Sequence, residues 1–308
     1  MLKFKNIMKK GMQFAFYTAL VSGFSIFINK FGVEGLNPYL FTGFKNIIVA
    51  IFVFSTILLL KEFYIFKQLR KKMLNLILIG FFGGSIPFLL FFKGLQLTSA
   101  ANAAFMHKTL FIYVSVLALI FLKEKLSKGF LIGAILLLIG NLLLLKINSF
   151  NLGLGDLLIF IATLFWAIET IISKRALKEL SSRTVAFGRM FFGSLFILLF
   201  LLFTGNFSLI FKINLAEFSW IIITSLFLFL YVLFWYTALK FEKASVATSI
   251  LLLGSVITSL LSYFFLDVAL TLIQSIGILL LVSGVICITL LEFFNSKSKM
   301  KADLISNV

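Results

Sequence analysis

The sequence predicts an all-α integral membrane protein of ten transmembrane helices, arranged as two inverted five-helix repeats with both termini cytoplasmic. Three observations lead to this fold class. The 308 residues are 61% hydrophobic and only 13% charged. They divide into ten long apolar runs joined by short connections. The second half of the chain also matches the first half at a constant offset.

The composition places the chain far from soluble proteins, which carry roughly 25% charged and 45–50% apolar residues. Its mean hydropathy is +1.14. The net charge of +17 is of the kind found in nucleic-acid-binding proteins. The basic residues, however, lie in short clusters between apolar runs, so no nucleic-acid partner is predicted. Cys287 is the only cysteine, which excludes an intrachain disulfide.

The apolar runs are long enough to cross a membrane, which takes about 20 mainly apolar residues. The basic start MLKFKNIMKKG resembles a signal peptide, but no small-residue cleavage site follows, so the first run is interpreted as a retained span. Spans 1 to 10 are predicted at approximately 11–30, 37–60, 73–92, 99–122, 129–146, 154–173, 184–204, 215–238, 244–266 and 271–293.

Basic residues alternate along the connections between spans. Clusters precede span 1, follow span 10, and occupy the connections between spans 2 and 3, 4 and 5, 6 and 7, and 8 and 9. Each of the other connections carries at most one basic residue. Because connections rich in Lys and Arg stay in the cytoplasm, this pattern supports ten spans and two cytoplasmic termini. We therefore expect a multi-pass protein of the cytoplasmic membrane, surrounded by the lipid bilayer.

An internal repeat appears when the chain is shifted by 144 residues. Equivalent positions then carry the same or similar residues: Ala100 and Ala244, Ala103 and Ala247, Gly133 and Gly277, Gly140 and Gly284, Lys45 and Arg189. Five spans per repeat is an odd number, so the second copy is inverted in the membrane. The predicted units are a first repeat at 1–146, a second at 147–294 and a cytoplasmic tail at 295–308. Inverted repeats are typical of secondary transporters, with the binding site near the midplane between the halves.

Two stretches carry a resemblance to a known family. They are TSAANAAFMHKTLFIYVSVLALIFLKEKLS at 98–127 and EKASVATSILLLGSVITSLLSYFFLDVALT at 242–271. They resemble the drug/metabolite transporter (DMT) superfamily, EamA type, in which an Ala-rich start of the fourth and ninth spans leads to a Phe/Leu-x-Glu segment. Glu124 fits that pattern, whereas Asp267-Val268 stands where Lys123-Glu124 is expected in the second half.

The resemblance implies a central cavity lined by spans 1–4 and 6–9, with spans 5 and 10 at the periphery. Members of the superfamily move amino acids, nucleotide sugars, triose phosphates, drugs and other metabolites. The resemblance therefore implies a transporter without specifying its substrate.

Lys108 and His107, the only histidine, lie deep in predicted span 4. An ionisable group near the bilayer centre costs roughly 2.5–3.5 kcal/mol, so function is the favoured reason for Lys108. Ala101 and Ala104 share its helical face and leave room for a cavity. Lys108 is therefore predicted to bind an anionic substrate group, the alternative being a lysine that hydrogen-bonds helix-end carbonyls. His107 is placed with it as a substrate-binding candidate, although a packed histidine is favoured over a proton relay.

Three more charged residues lie inside predicted spans: Lys45, Glu169 and Arg189. Lys45 and Arg189 are repeat equivalents, and Glu169 is predicted to pair with Arg189. Lys45 and Lys108 would then be unpaired cations, which favours an anionic substrate. Snorkelling to a membrane face is the alternative for Lys45 and Arg189.

Trp166 and Tyr17 are further candidates for substrate binding, as aromatic residues that could line the cavity. The alternative is that they mark a membrane interface. Pro87 removes a helix hydrogen bond and crowds the carbonyl of Gly83. Span 3 is therefore predicted to kink at Gly83–Pro87, either as a hinge for gating or as a feature that shapes the bundle. The glycines of spans 5 and 10 indicate close packing within a monomer or, alternatively, a homodimer seam.

These observations predict a secondary transporter that moves a small metabolite, amino-acid-like or otherwise bearing a carboxylate or anion, by alternating access. A proton is the candidate coupling ion. No nucleotide-binding loop is present in the sequence, and no catalytic residue, metal or cofactor is predicted. An integral membrane enzyme acting on lipid-linked substrates and a non-transporting sensor or channel remain the alternatives.

Overall fold

The computed structural model describes residues 2–32, 36–145 and 153–305. Within these ranges the chain is helical with no strand, and ten helices are long and apolar enough to cross a membrane. The predicted all-α architecture of ten spans is therefore confirmed. The predicted boundary between the repeats, at 146 and 147, lies outside the described residues.

The helices run as follows. Spans 1 and 2 are Leu2–Gly32 and Pro38–Leu59, and a short helix, Tyr64–Lys71, precedes span 3. Span 3 comprises Met73–Ile79, a π-helical turn Gly80–Ser85, and Ile86–Leu95. Span 4 comprises Ala100–Lys108 and Leu110–Phe121, and span 5 is Lys128–Leu145.

The second half follows the same order. Spans 6 and 7 are Leu154–Ala176 and Ser182–Phe203, followed by a 3₁₀ turn, Phe207–Lys212. Span 8 is Leu215–Phe241, and span 9 comprises Ala244–Leu251 and Leu253–Leu266. Span 10 is Leu272–Ile305, so its helix continues into the segment expected to be a tail.

Side chains cap several of these helices and fix where they begin. Asn37 accepts hydrogen bonds from the backbone N–H groups of Tyr39 and Leu40, with Pro38 in the first turn where no donor is needed. Asn214 and Glu217 form a reciprocal capping box at the start of span 8.

The packing of the helices follows the inverted repeat. Span 1 packs on span 8, and its equivalent, span 6, packs on span 3. Span 2 packs on span 7, and span 5 on span 10. Each of these contacts joins one repeat to the other, so the halves interlock and a site between them is shared by both.

Two local features repeat the same symmetry. Lys123 and Asp267, 144 residues apart, both adopt the left-handed conformation, with φ of 55° and 54°. A β-carbon added at Gly133 would lie 2.8 Å from the carbonyl oxygen of Gly284, and one added at Gly140 would lie 2.8 Å from that of Gly277. The glycine faces of spans 5 and 10 thus pack against each other within one chain, as the first of the two sequence interpretations expected.

Candidate functional site

The interior of the protein is organised around the π-helical turn of span 3. Pro87 has no N–H, so the carbonyl of Gly83, one helical turn earlier, receives no intrahelical hydrogen bond from it. That oxygen instead accepts hydrogen bonds from Nε1 of Trp166 at 3.2 Å and Nη2 of Arg189 at 3.1 Å. The carbonyl of Gly84 accepts one from Nδ2 of Asn46 at 2.9 Å. Side chains of spans 2, 6 and 7 therefore satisfy the unwound backbone, as a membrane interior requires.

Only glycine fits at two positions of this turn. A β-carbon added at Gly83 would lie 2.4 Å from Cγ of Glu169 and 3.3 Å from Nε of Arg189. One added at Gly84 would lie 2.5 Å from the carbonyl oxygen of Arg189 and 2.8 Å from Cα of Gly193. The missing side chains let spans 6 and 7 approach the turn closely enough to form these hydrogen bonds.

Glu169 and Arg189 are linked through a third residue. The hydroxyl of Tyr236 donates to Oε1 of Glu169 at 2.8 Å and accepts from Nη1 of Arg189 at 3.4 Å. Ser173 donates to the same carboxylate oxygen at 2.5 Å. No N–O distance of 4.0 Å or less joins Glu169 to Arg189 among the described residues. The expected direct ion pair is thus a bridged one, since the Gly83 turn packs against both side chains.

Two buried atoms at this turn have no hydrogen-bond partner in the described part of the chain, Oδ1 of Asn46 and Nε of Arg189. A buried donor without a partner costs about 1–3 kcal/mol. The arginine is therefore held by carbonyl and hydroxyl groups on one edge only.

His107 packs among aromatic side chains beside the same turn. Its ring lies 4.8 Å from that of Trp166 and 5.6 Å from that of Phe91, both in edge-to-face geometry. The Trp166 ring also contacts Phe88 at 5.2 Å. This environment matches the packed histidine that the sequence favoured over a proton relay.

Lys108 lies at a helix break that occurs in both repeats. Span 4 is interrupted at Thr109, directly after Lys108, and span 9 is interrupted at Leu252, the equivalent of Lys108. The N–H of Leu252 donates to Ser249, three residues back, while the N–H of Thr109 is shared between Met106, three residues back, and Phe105, four residues back. The helix is therefore tightened at these places rather than unwound. The ammonium of Lys108 makes no hydrogen bond or ion pair within the described residues. Among the basic groups described away from the span ends, it is the one that remains available to a ligand.

Lys45 has no acidic partner among the described residues, in line with the sequence, but its ammonium is held by neutral groups. Its Nζ donates to Oδ1 of Asn29 at 2.9 Å and lies 4.8 Å from the centre of the Phe41 ring. Asn29 in turn donates to Ser25 at 3.3 Å. The first repeat has no acid equivalent to Glu169. The ammonium of Lys45 is nevertheless not free, because an amide and an aromatic ring contact it.

The polar groups of the two halves occupy equivalent positions. Ser25, Asn29 and Lys45 of the first repeat correspond to Glu169, Ser173 and Arg189 of the second. The cluster of the second repeat holds one acid and one base and reaches the π turn, while that of the first repeat holds a lysine and no acid. The two repeats therefore have equivalent backbones but different charges at these positions.

Tyr17 lies apart from the π turn. Its side chain is 49% exposed and packs on Phe14 and Phe234, with ring centres 6.0 and 5.7 Å away. The structure therefore brings together six of the predicted site residues near the turn: Gly83, Pro87, His107, Trp166, Glu169 and Arg189.

Sequence reasoning missed the roles of Asn46 and Asn29 and did not connect Tyr236 to the charged residues. A polar amide within an apolar span was the signal available for both asparagines.

Two surface clefts, of about 250 and 440 Å³, are lined by other residues, among them Glu179 and Asp156 respectively.

Glu124, the acidic residue of the family pattern, has a structural role. Its carboxylate accepts hydrogen bonds from the backbone N–H groups of Ala244 and Ser245, at 2.7 and 3.2 Å, and from the Ser245 hydroxyl at 2.6 Å. It therefore caps span 9 from the connection between spans 4 and 5, where an anion also complements the helix dipole.

Comparison with known proteins agrees with this architecture. The chain is 27% identical over 280 residues to the uncharacterised transporter YyaM of Bacillus subtilis (strain 168), covering 87% of this chain and 91% of the relative. It is 25% identical over 254 residues to the uncharacterised transporter YetK of the same organism, covering 78% of this chain and 75% of the relative. A protein of known crystal structure shares the fold, with a TM-score of 0.75 over 91% of this chain and 98% of its own, at 16% identity. The pattern of the EamA-like transporter family matches residues 9–146 and 153–290, and the chain therefore belongs to that family.

Proposed function

We propose that the protein is a secondary transporter that moves a small solute bearing a carboxylate or other anionic group across the cytoplasmic membrane by alternating access. The observation that carries this proposal is the ammonium of Lys108, which lacks a partner in the described residues and lies at a break in span 4. Inverted repeats with a binding site near the midplane between the halves are typical of secondary transporters.

The charges of the interior favour an anionic solute. Away from the ends of the described spans, Lys45, Lys108 and Arg189 are three basic groups against one acidic group, Glu169. The other acids of these spans, Asp156, Glu217 and Glu292, lie within three residues of a span end. Arg189 is bridged to Glu169 through Tyr236, and Lys45 is held by Asn29. Lys108 therefore supplies the positive charge that a bound carboxylate would neutralise.

The repeat also supports a role for Lys108 in substrate binding rather than in holding the fold. Leu252 occupies its place in the second repeat, and span 9 is broken there in the same way. A leucine supports the same local structure, so the break does not need an ammonium. The interlocked packing of the two repeats gives the two similar arrangements that alternating access exchanges.

Counterflow in proteoliposomes tests the proposal, with a panel of labelled amino acids and mono- and dicarboxylates as probes. We expect uptake of at least one carboxylate by the wild-type protein. Lys108→Met should reduce it about tenfold or more, since a charge-assisted hydrogen bond contributes roughly 1.5–3 kcal/mol. Lys108→Arg should retain part of the activity.

Leu252→Met is the matched control, because it alters the equivalent break without touching a charge. Full uptake by Lys108→Met would contradict the role of the ammonium. Uptake of neutral or cationic solutes in place of carboxylates would contradict the proposed substrate class.

Labelling of single cysteines introduced beyond residue 294, from each side of the membrane, tests the cytoplasmic location of the C-terminus.

A further inference from the structure

A buried carboxyl group lies at the junction of spans 8 and 9, away from the π turn. Glu242 follows span 8 directly, and its side chain is only 4% exposed. Its Oε1 accepts the backbone N–H of Lys243 at 3.0 Å. Its Oε2 is buried and has no hydrogen-bond partner among the described residues. A carboxylate so enclosed is costly unless it is paired or protonated.

Charged groups surround Glu242 from several elements, but within the described ranges none of them forms an ion pair with its carboxylate. Lys174 of span 6 donates to the backbone carbonyls of Leu239 and Glu242, both at 2.5 Å, rather than to the carboxylate. Lys243 pairs with Glu292 of span 10 at 2.7 Å. The remaining charged groups around the junction are Glu124, which caps span 9, Lys178, which lies near Lys174, and Lys10 of span 1, which lies over the Phe241 ring.

The junction is also a tight contact between the repeats. A β-carbon added at Gly11 of span 1 would lie 2.9 Å from Cβ of Glu242 and 2.9 Å from the backbone carbon of Phe241. The equivalent contact at the other end involves Gly155, where an added β-carbon would lie 2.7 Å from the backbone carbon of Leu97. Thr98, the equivalent of Glu242, donates there to Asp156 at 2.6 Å. The contacts of Gly11 and of Gly155 are therefore equivalent in their backbone geometry, but the polar side chains beside them differ.

We propose that Glu242 is the proton-binding site that couples transport to a proton gradient, its carboxyl being protonated while the junction with Gly11 is closed. This inference rests on the proposed function. Opening this end for alternating access separates span 1 from the junction and admits water to the carboxyl. The hydrated group releases its proton to that side as an ordinary carboxylate. Once this end has closed and the opposite end is open, the carboxylate binds a proton that enters from the opposite side, so each cycle carries one proton across the membrane.

The electrostatics of the junction agree with this role. Burial raises the pKa of the Glu242 carboxyl to about 7, with nearby Glu292 contributing to the rise. The N–H of Lys243 and the ammonium groups of Lys174 and Lys243 oppose the rise in pKa without cancelling it. A carboxyl of this kind changes its protonation near neutral pH, where a glutamate in water does not.

Infrared difference spectroscopy of the full-length protein in liposomes tests proton binding without a solute. The wild-type protein should show a protonated-carboxyl band that is lost as pH is raised through about 7. Glu242→Gln should lack this band and Glu242→Asp should retain one. Glu179→Gln is the matched control, since Glu179 is an exposed acid paired with Lys72 at 2.8 Å. A band that persists in Glu242→Gln would overturn the assignment.

A second measurement tests coupling, with the carboxylate that counterflow identifies as the probe. An imposed pH gradient should drive its accumulation and a matching proton flux in wild-type proteoliposomes. Glu242→Gln should lose gradient-driven accumulation and the pH dependence of exchange together. Accumulation by this variant at the wild-type level would overturn the coupling. Absence of any exchange by wild-type protein, with the infrared band present, would contradict the proposed function and the coupling, while the proton site itself would stand.

Discussion

The guanidinium of Arg189 donates a hydrogen bond to the carbonyl oxygen of Gly83, 3.1 Å away. This contact ties span 7 of the second repeat to the π-helical turn of span 3 in the first. It exists because Pro87 has no N–H to offer that carbonyl. The polar cluster at the π turn thus depends on a proline that itself makes none of the hydrogen bonds.

Replacing Pro87 with alanine should restore a donor one turn after Gly83. The new N–H competes with Trp166 and Arg189 for the same oxygen, so the turn should become more regular. We expect solute exchange to fall several-fold with the fold retained, since gating motions often limit turnover. Exchange in proteoliposomes and hydrogen exchange of the new backbone amide at position 87 measure the two effects. Pro38→Ala, in the first turn of span 2, should leave transport unchanged, and wild-type exchange by Pro87→Ala would remove the turn from the transport cycle.

The hydroxyl of Tyr236 should contribute measurably to stability, because it bridges Glu169 and Arg189. Tyr236→Phe removes both hydrogen bonds with little change in shape. We expect a loss of about 1–2 kcal/mol, near the upper end for polar contacts between membrane helices. Thermal unfolding in detergent measures it. Tyr231→Phe on the same helix is the control, and an equal loss there would contradict a specific bridge.

Lys108 and Lys45 should differ in how their removal affects stability. Lys108→Met removes an ammonium that lacks a partner in the described residues and should raise the unfolding temperature, even as it reduces transport. Lys45→Met leaves Oδ1 of Asn29 without its hydrogen-bond donor and removes the contact with Phe41. It should therefore lower the unfolding temperature. Thermal unfolding of the two variants, compared with wild type, checks the opposite signs. Destabilisation by Lys108→Met would indicate that the lysine supports the scaffold.

The span count could be predicted from the sequence because hydropathy and basic clusters are local properties of each segment and connection. The repeat, and with it the packing of span 5 on span 10, followed from residues such as Gly133 and Gly277. The predicted family was confirmed by its match to both halves. These features depend on composition and spacing, which a sequence displays directly.

The contacts of the site depended on information that spacing does not contain. Asn29 and Lys45 lie in different spans, and their meeting depends on how the two helices are rotated about their axes. Tyr236 reaches Glu169 and Arg189 from span 8, far away in the chain. In the sequence Glu242 belongs to a connection, where acids are ordinarily solvated, and only the packing of Gly11 against it shows that it is buried.

The glycines shared by spans 5 and 10 should be needed within a single chain. A β-carbon at Gly140 would lie 2.8 Å from the carbonyl oxygen of Gly277 and 2.9 Å from the backbone N of Leu281. Gly140→Val should therefore destabilise the protein by about 1–3 kcal/mol through overpacking. Unfolding in detergent measures this loss, and Leu131→Ala on the exposed face of span 5 should have a much smaller effect. A change in oligomeric state with stability preserved would instead indicate a seam between chains.

Stability should depend on pH through Glu242. Burial raises the folded-state pKa to about 7 from an ordinary value of 4.5, so between these values the folded protein holds a proton that the unfolded chain has released. The free energy of unfolding should therefore decrease as pH rises through this window, by at most about 3 kcal/mol, and level off above it. Glu242→Gln cannot ionise and should remove this component of the pH dependence. Chemical unfolding of both proteins across the window measures the difference, and parallel curves would show that Glu242 ionises in the folded state as it does in water.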